Sequence, residues 1–419
     1  MTDVESIKLE NHEIDLPEID KLGPNKSKFW QIDLLKMISI LLVIMDHSFP
    51  HSMLFEIGSP YWQRIAIPLF LIITGFNWAK SLEKHKDKPL RELYSWKGYF
   101  KKKLLRFLLP FGIIYALSII FKIIINLTDV PLMDVAYYDD PVLKIILFLP
   151  VWGPGNWYIP VLFGFILIFP IMYKAFSRLP VVSLVVCFIV EYGWYSIIFI
   201  LRVIWAMADY TPIGVWNYYN TLTILRCTPF RALSAVGLGI WLSQNHKWNS
   251  FRNIFIWIYG ILSGIYLFFY TFRDFRFTTN VFGTDFAFFT GDYSMLHFGW
   301  SAMLILIVLN IFPKEPAGKS YRFISLISKS TYHILMVQIF YFSVIYNLYL
   351  PMFGDTPIFA SFGGEFYWVH YIWYYPFNLL LTFSLGILWY KLENTYLWER
   401  MKLADKKRYE HAKARGWVT

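Results

Sequence analysis

Leu34-Leu-Lys-Met-Ile-Ser-Ile-Leu-Leu-Val-Ile-Met-Asp-His-Ser-Phe49 decides the fold. It belongs to an apolar run near 34–53, and about 20 such residues span a bilayer as a helix. Yet it carries three ionisable groups, Lys36, Asp46 and His47. Working outward, comparable runs recur near 62–81, 104–126, 156–174, 180–201, 221–243, 252–272, 293–312, 323–348 and 370–391. The expected fold is all-α, a polytopic membrane protein of about ten transmembrane helices. Composition agrees, because the 419 residues are 57% hydrophobic and 21% aromatic but only 16% charged. Soluble domains are about 25% charged, so a soluble enzyme, a disordered chain and a nucleic-acid-binding protein are excluded. Cys187 and Cys227 both lie inside apolar runs. They support neither a disulfide framework nor a thiolate metal site, and no metal is expected. The apolar piece Val142–Val151 is too short to cross and reads as re-entrant or interfacial.

Basic residues set the orientation. With the N-terminus inside, the inner segments 1–33, 80–106, 174–178, 244–252, 313–329 and 391–419 hold 30 of the 39 Lys and Arg. The outer loops are acidic, with Asp129, Asp134, Asp139, Asp140, Asp355 and Glu365. This positive-inside bias predicts a multi-pass protein of the cell membrane with both termini cytoplasmic, N-in and C-in. The chain divides into a polar segment 1–33, a transmembrane domain 34–391 and a basic tail 392–419, whose Lys402–Arg415 faces water or lipid headgroups. Residues 1–33 hold no short apolar stretch of the signal-peptide kind, so the first span is expected to be its own anchor. The net charge of +10 therefore reports orientation and lipid contact, not a nucleic-acid partner. No internal repeat or inverted repeat is evident.

An ionisable group in the middle of a span costs about 3 kcal/mol and is a functional candidate by default. Lys36 and His47 are eleven residues apart, three turns plus about 20°, so they share a face at a rise of about 16 Å. Asp46 points about 100° away from His47, so an acid from another span is expected to orient the imidazole, Glu191 first. Lys36 at the inner rim suits an anionic cofactor, and His47 at the far end of that reach suits a general base. The alternative is a snorkelling lysine and a histidine bonded to a neighbouring helix. The densest basic run is Trp96-Lys-Gly-Tyr-Phe-Lys-Lys-Lys-Leu-Leu-Arg-Phe-Leu-Leu-Pro110. It reads as an anchor facing anionic lipid, or as a phosphate grip by Lys103 and Arg106, which share a helix face.

Aromatic residues crowd the outer loops: Tyr137, Tyr138, Trp152, Trp157, Tyr158, Trp216, Tyr218 and Tyr219. An interfacial belt explains most of them, with Trp157 and Tyr158 the best pair to stack on a sugar ring. Arg226 and Arg231 flank Pro229, which reads as a broken, cavity-lining helix. The two arginines would neutralise an anionic acceptor or cofactor, or pair with Glu191. His297 and Lys122 are expected at the interface.

Several motifs then match one family in order. Lys36 and His47 fit a pattern of Arg or Lys, ten residues, then His in a first span. Pro68-Leu-Phe-Leu-Ile-Ile-Thr-Gly-Phe76 is similar to a Phe-Phe-x-x-Ser-Gly-Phe element, with Thr74 for Ser. Lys103-Leu-Leu-Arg106 is similar to a basic Arg-x-x-Arg motif. Asn156-Trp-Tyr-Ile-Pro-Val-Leu162 resembles a Trp-Tyr/Phe start to the next span. Ser330-Thr-Tyr-His-Ile-Leu-Met-Val-Gln338 and Gly386-Ile-Leu-Trp-Tyr-Lys-Leu-Glu393 match two late helices. Together, from about 30 to 395, the chain resembles the acyltransferase-3 family of integral membrane acyltransferases. There are departures: Gln338 stands where many members have histidine, and Lys103 keeps the charge of arginine without its planar fork. The tail after Lys391 is too short for the soluble esterase-like domain many members carry, which implies the stand-alone membrane form.

The resemblance implies acyl transfer from cytoplasmic acyl-CoA, acetyl-CoA first, to a hydroxyl of a cell-surface carbohydrate or lipid-linked glycan. Lys36, Lys103 and Arg106 would hold the CoA phosphates, and His47 would act as general base or acyl carrier. Thr74 is the candidate oxyanion donor beside the cofactor. Trp157, Tyr158, Arg226, Arg231 and Gln338 fall to the acceptor. Two other classes fit the same residues: a transporter or flippase for a lipid-linked saccharide, and a catalytically inert scaffold.

Overall fold

Among the described residues the apolar runs fold as helices, with breaks at Phe49 and Thr228. The structure, a computed structural model, describes residues 29–49, 51–62, 64–94, 99–127, 154–207, 221, 224–244, 250–273, 275–281, 284–287, 293–313, 319–353 and 369–398. The longer helices are α1 (Trp30–Ser48), α2 (Ala66–Leu82), α3 (Tyr99–Leu127), α4 (Tyr158–Arg178) and α5 (Pro180–Met207). They continue as α6 (Leu233–Gln244), α7 (Ile254–Arg273), α8 (Met295–Ile311), α9 (Lys319–Phe353) and α10 (Val369–Glu393). Among the described residues, six stretches are long and apolar enough to cross a membrane: Lys103–Ile125, Tyr158–Arg178, Pro180–Ile204, Ile254–Arg273, Ser320–Ile345 and Val369–Tyr396. Helices α2 and α8 are shorter and equally apolar. The sequence expectations at Val142–Val151, Tyr137, Tyr138, Trp152, Trp216, Tyr218, Tyr219 and Lys402–Arg415, and the acidic outer loops, lie outside the described residues.

Burial separates the helices into core and rim. Ile120 and Ile124 of α3, Val182 and Ile189 of α5, Ile261 and Leu262 of α7, and Leu380 and Leu388 of α10 are exposed. Apolar stripes of that extent carry no cost where the surroundings are lipid tails. Helix α2 is instead buried on nearly every side, as its all-round apolar sequence requires. It crosses α6 at glycines: a Cβ on Gly75 would strike the Val236 carbonyl, and one on Gly239 the Ile72 carbonyl. Small residues let the two backbones meet, the usual device where packing replaces hydrophobic driving force.

Two departures from expectation, and the break expected at Pro229, have local causes. Helix α1 runs Trp30–Ser48, not to residue 53, because Phe49 is extended (φ −117°, ψ 148°) ahead of Pro50. His47 is therefore in the last turn. The run 221–243 is not one helix: Thr228 is extended (φ −81°, ψ 154°), Pro229–Ala232 forms a tight 3₁₀ turn, and only then does α6 begin. The all-α expectation also misses a small antiparallel hairpin, β1 (Thr278–Val281) with β2 (Thr284–Ala287), pairing Thr278 with Ala287. Its β-branched Thr and Val suit strands.

Candidate active site

Helix α1 is the axis of the site. It packs against α2, α8, α9 and α10. Polar bonds fix its rotation: Ser328 donates to the Asp33 carboxylate at 2.6 Å, and Tyr375 to the Leu41 carbonyl at 3.0 Å. Near its end the Asn378 amide donates to the Ser48 hydroxyl at 2.9 Å, while Tyr341 donates to the Asn378 carbonyl oxygen at 2.7 Å. Bonds of this kind in a low-dielectric interior specify one arrangement.

At the start of α1 the basic residues converge. Lys36 is within electrostatic reach of Asp33 and Arg106, and Lys103 of both Arg106 and Lys36. The Lys103 ammonium sits 4.7 Å from the Trp78 ring centre and 5.8 Å from that of Tyr99, in cation–π range. Lys36 and Lys103 are half-buried, Arg106 exposed. Nearby, His333 Nε2 lies 3.0 Å from Glu393 Oε2 in a buried contact joining α9 to the end of α10. Three cations gathered from α1 and α3 repel one another, a cost that a bound polyanion removes.

At the other end stands His47. Its Nδ1 lies 3.7 Å from Asp46 Oδ2, an ion-pair separation rather than a hydrogen bond. The ring meets Phe342 of α9 edge-on at 5.8 Å and keeps 17% of its side chain exposed. The carboxylate beside His47 is thus Asp46, not Glu191 as expected: in the final turn two adjacent side chains swing toward each other despite the 100° offset. Glu191 belongs elsewhere. Its Oε2 accepts from the Ser234 amide (2.9 Å) and hydroxyl (2.6 Å), fully buried between α5 and α6. Helix α5 packs chiefly on α6 and α4, away from α1.

Between these ends lies a group that the sequence reading only half identified. A Cβ on Gly155 would approach Ile339 of α9 to 3.3 Å, so the chain entering α4 runs against that helix. There Asn156 is 1% exposed and Gln338 0% exposed. Among the described residues, neither the nitrogen nor the oxygen of either carboxamide has a hydrogen-bond partner. Gln338 and Phe342 are one turn apart on one face, so this carboxamide shares the side of α9 that meets His47. Leaving such a group unpaired costs about 1–3 kcal/mol. Asn156 was missed; its one signal in the sequence is a carboxamide immediately before Trp157 at the head of an apolar run.

The remaining expected residues take defined places. Thr74 and Tyr158 share a hydrogen bond, so Tyr158 points inward at α2, not to an outer surface. Trp157 stacks on Tyr293 at 5.5 Å, which covers one ring face, and Tyr293 is within electrostatic reach of Asp46 and Arg231. Arg231 Nε donates to the Tyr195 hydroxyl at 3.0 Å and also lies within reach of Glu191. Arg226 lies within electrostatic reach of the neighbouring Tyr195 and Cys227. His297 is buried, not interfacial, with Nδ1 3.0 Å from the Ser294 hydroxyl. Among the described residues no cluster of His, Cys, Asp or Glu is arranged to hold a metal. An open cleft of ≈ 220 Å³ beside Lys80, Glu83, Lys86 and Gln244 lies apart from the α1 axis.

A family model described as an acyltransferase domain matches residues 29–390. No curated protein and no solved structure matches the chain.

Proposed function

The chain belongs to the acyltransferase-3 family, and from that premise we propose that it moves an acyl group, acetyl first, from acyl-CoA to a hydroxyl of a cell-surface carbohydrate or lipid-linked glycan. As a multi-pass membrane transferase it would cross the cell membrane ten times with both ends cytoplasmic, so that the basic end of α1 faces the CoA pool. One observation carries the reading. Lys36 and His47 occupy one face of α1 about 16 Å apart, with Lys103 and Arg106 gathered beside the first and a partly exposed ring at the second.

Such a spacing suits a donor whose phosphates dock at one end and whose thioester reaches the other. Lys36, Lys103 and Arg106 hold the phosphates, Lys103 from its seat over Trp78. His47 takes the proton of the acceptor hydroxyl as its oxygen adds to the thioester carbonyl, with Asp46 favouring the imidazolium. A transient acyl-imidazole is the other route through the same ring. Trp157 and Tyr293 wall the acceptor side.

The test compares surface glycans by mass spectrometry in cells carrying the wild-type chain or His47→Ala. The expected outcome is an acyl mass on the glycan that only the wild type adds, with at least a 100-fold loss of transfer from radiolabelled acetyl-CoA in the variant. General-base removal costs 10²–10⁴-fold. Transfer by His47→Ala at the wild-type rate would refute the role of this residue.

A further inference from the structure

Acyl transfer needs a group to receive the charge that builds on the carbonyl oxygen, and the hydroxyl first expected to do so is otherwise engaged. Thr74 is bonded to Tyr158. Lys36, Lys103 and Arg106 lie at the opposite end of α1, about 16 Å from His47, and Arg231 is bonded to the Tyr195 hydroxyl. Resting on the acyltransferase reading above, we infer that the carboxamides of Asn156 and Gln338 form the oxyanion site, donating their N–H groups to the carbonyl oxygen of the bound thioester.

Four observations converge on this pair. Both side chains are buried to within 1% of completely, and all four of their polar atoms lack a partner among the described residues. Interior carboxamides are ordinarily bonded, so two unpaired ones in one region mark a place that a polar atom visits. Their segments adjoin, because Gly155 abuts Ile339, the residues next to Asn156 and Gln338 in the chain. Gln338 lies one helical turn from Phe342, the residue against the His47 ring. Asn156 also sits at the N-terminal end of the 21-residue α4, where no side chain caps the first turn. The positive end of that helix dipole favours developing negative charge at the same point.

The step balances with these groups in place. The acceptor oxygen adds to the carbonyl carbon, the π pair moves onto the carbonyl oxygen between the two amides, and the acceptor proton passes to His47. As the pair returns, the carbon–sulfur bond breaks and the departing thiolate takes that proton. A tetrahedral oxyanion accepts stronger hydrogen bonds than the ground-state carbonyl, so the amides act on the rate more than on donor binding.

The experiment uses the purified full-length chain in lipid nanodiscs, with radiolabelled acetyl-CoA and a glycan extract of the expressing cells. Asn156→Ala, Asn156→Asp and Gln338→Met are compared for kcat, for the acetyl-CoA dissociation constant by direct binding, and for melting temperature. Losing one oxyanion donor lowers kcat about 10²–10³-fold. Donor affinity is expected within about threefold of wild type, because the phosphates are held elsewhere. Melting temperature is expected to hold or rise in Asn156→Ala and Gln338→Met, since the deleted amide has no bond to lose. Asn156→Asp, of the same shape, has no donor hydrogen when ionised, and above the pH at which it ionises it is expected to lose as much rate as Asn156→Ala. Variants within about threefold of wild-type kcat, or a rate loss matched by a fall in melting temperature, would overturn the assignment. A wild-type chain that transfers no label from acetyl-CoA would instead overturn the acyltransferase reading on which the assignment rests.

Discussion

Replacing Lys103 by methionine separates binding from folding. The side chain is half-buried, with its ammonium 4.7 Å from the Trp78 ring centre and within electrostatic reach of Lys36 and Arg106. A phosphate about 4 Å from that nitrogen gains about 4 kcal/mol at an effective dielectric of 20. Desolvation and screening leave about 1.5–3 kcal/mol for a charge-assisted bond, or about 10–100-fold in donor affinity. In the unliganded protein the balance is different. The methionine stem still covers Trp78, the cation–π contact worth about 0.5–2 kcal/mol is lost, and repulsion from two cations is relieved. Stability should therefore change little or rise. The assay is equilibrium binding of radiolabelled acetyl-CoA from about 0.05 to 0.5 M salt, with melting curves alongside. The wild type should lose affinity with salt more steeply than the variant. Lys88→Met, which breaks only a surface pair with Glu92, serves as control. Unchanged binding with a lowered melting temperature would show that the cluster is a membrane anchor and refute its role at the donor.

Other perturbations probe the scaffold. Gly239→Ala forces a methyl against the Ile72 carbonyl at the α2–α6 crossing and should cost about 1–3 kcal/mol, read as a lower melting temperature and less monodisperse protein. Asn378→Leu removes the hydrogen bonds that Asn378 makes with the Tyr341 and Ser48 hydroxyls, costs about 0.5–1.5 kcal/mol for each bond lost while Ser48 keeps its bond to the Ile44 carbonyl, and should lower kcat more than acetyl-CoA affinity by loosening the end of α1. Ser234→Ala removes one of the two bonds that Ser234 makes to Glu191 and should lower the melting temperature while leaving acetyl-CoA binding within about twofold of wild type. A collapse of binding in that variant would return Glu191 to the site.

Much of the fold was legible because helices in a membrane are dictated locally. Apolar length sets each span, and proline and glycine punctuate it, so the break at Thr228–Pro229 and the close crossing at Gly75 both follow from residue types. The Lys36–His47 face was equally readable, since two residues on one regular helix have a fixed relation. The pairing of Glu191 was not: which helices adjoin is set by non-local packing, and α5 turned to α6 instead of α1. Nor was the end of α1 placed correctly, although Pro50 stood in the sequence as its cause.

The sequence by itself determined an apolar, multi-helical chain carrying cations at one end of its first helix and an imidazole near the other. Those properties depend only on residue type and helical period. The tertiary structure decided which groups meet: Lys103 over Trp78, Asp46 beside His47, Glu191 with Ser234, and the unpaired carboxamides of Asn156 and Gln338 in one interior. A side chain's partners come from helices distant in sequence, and no local periodicity encodes which of them pack together.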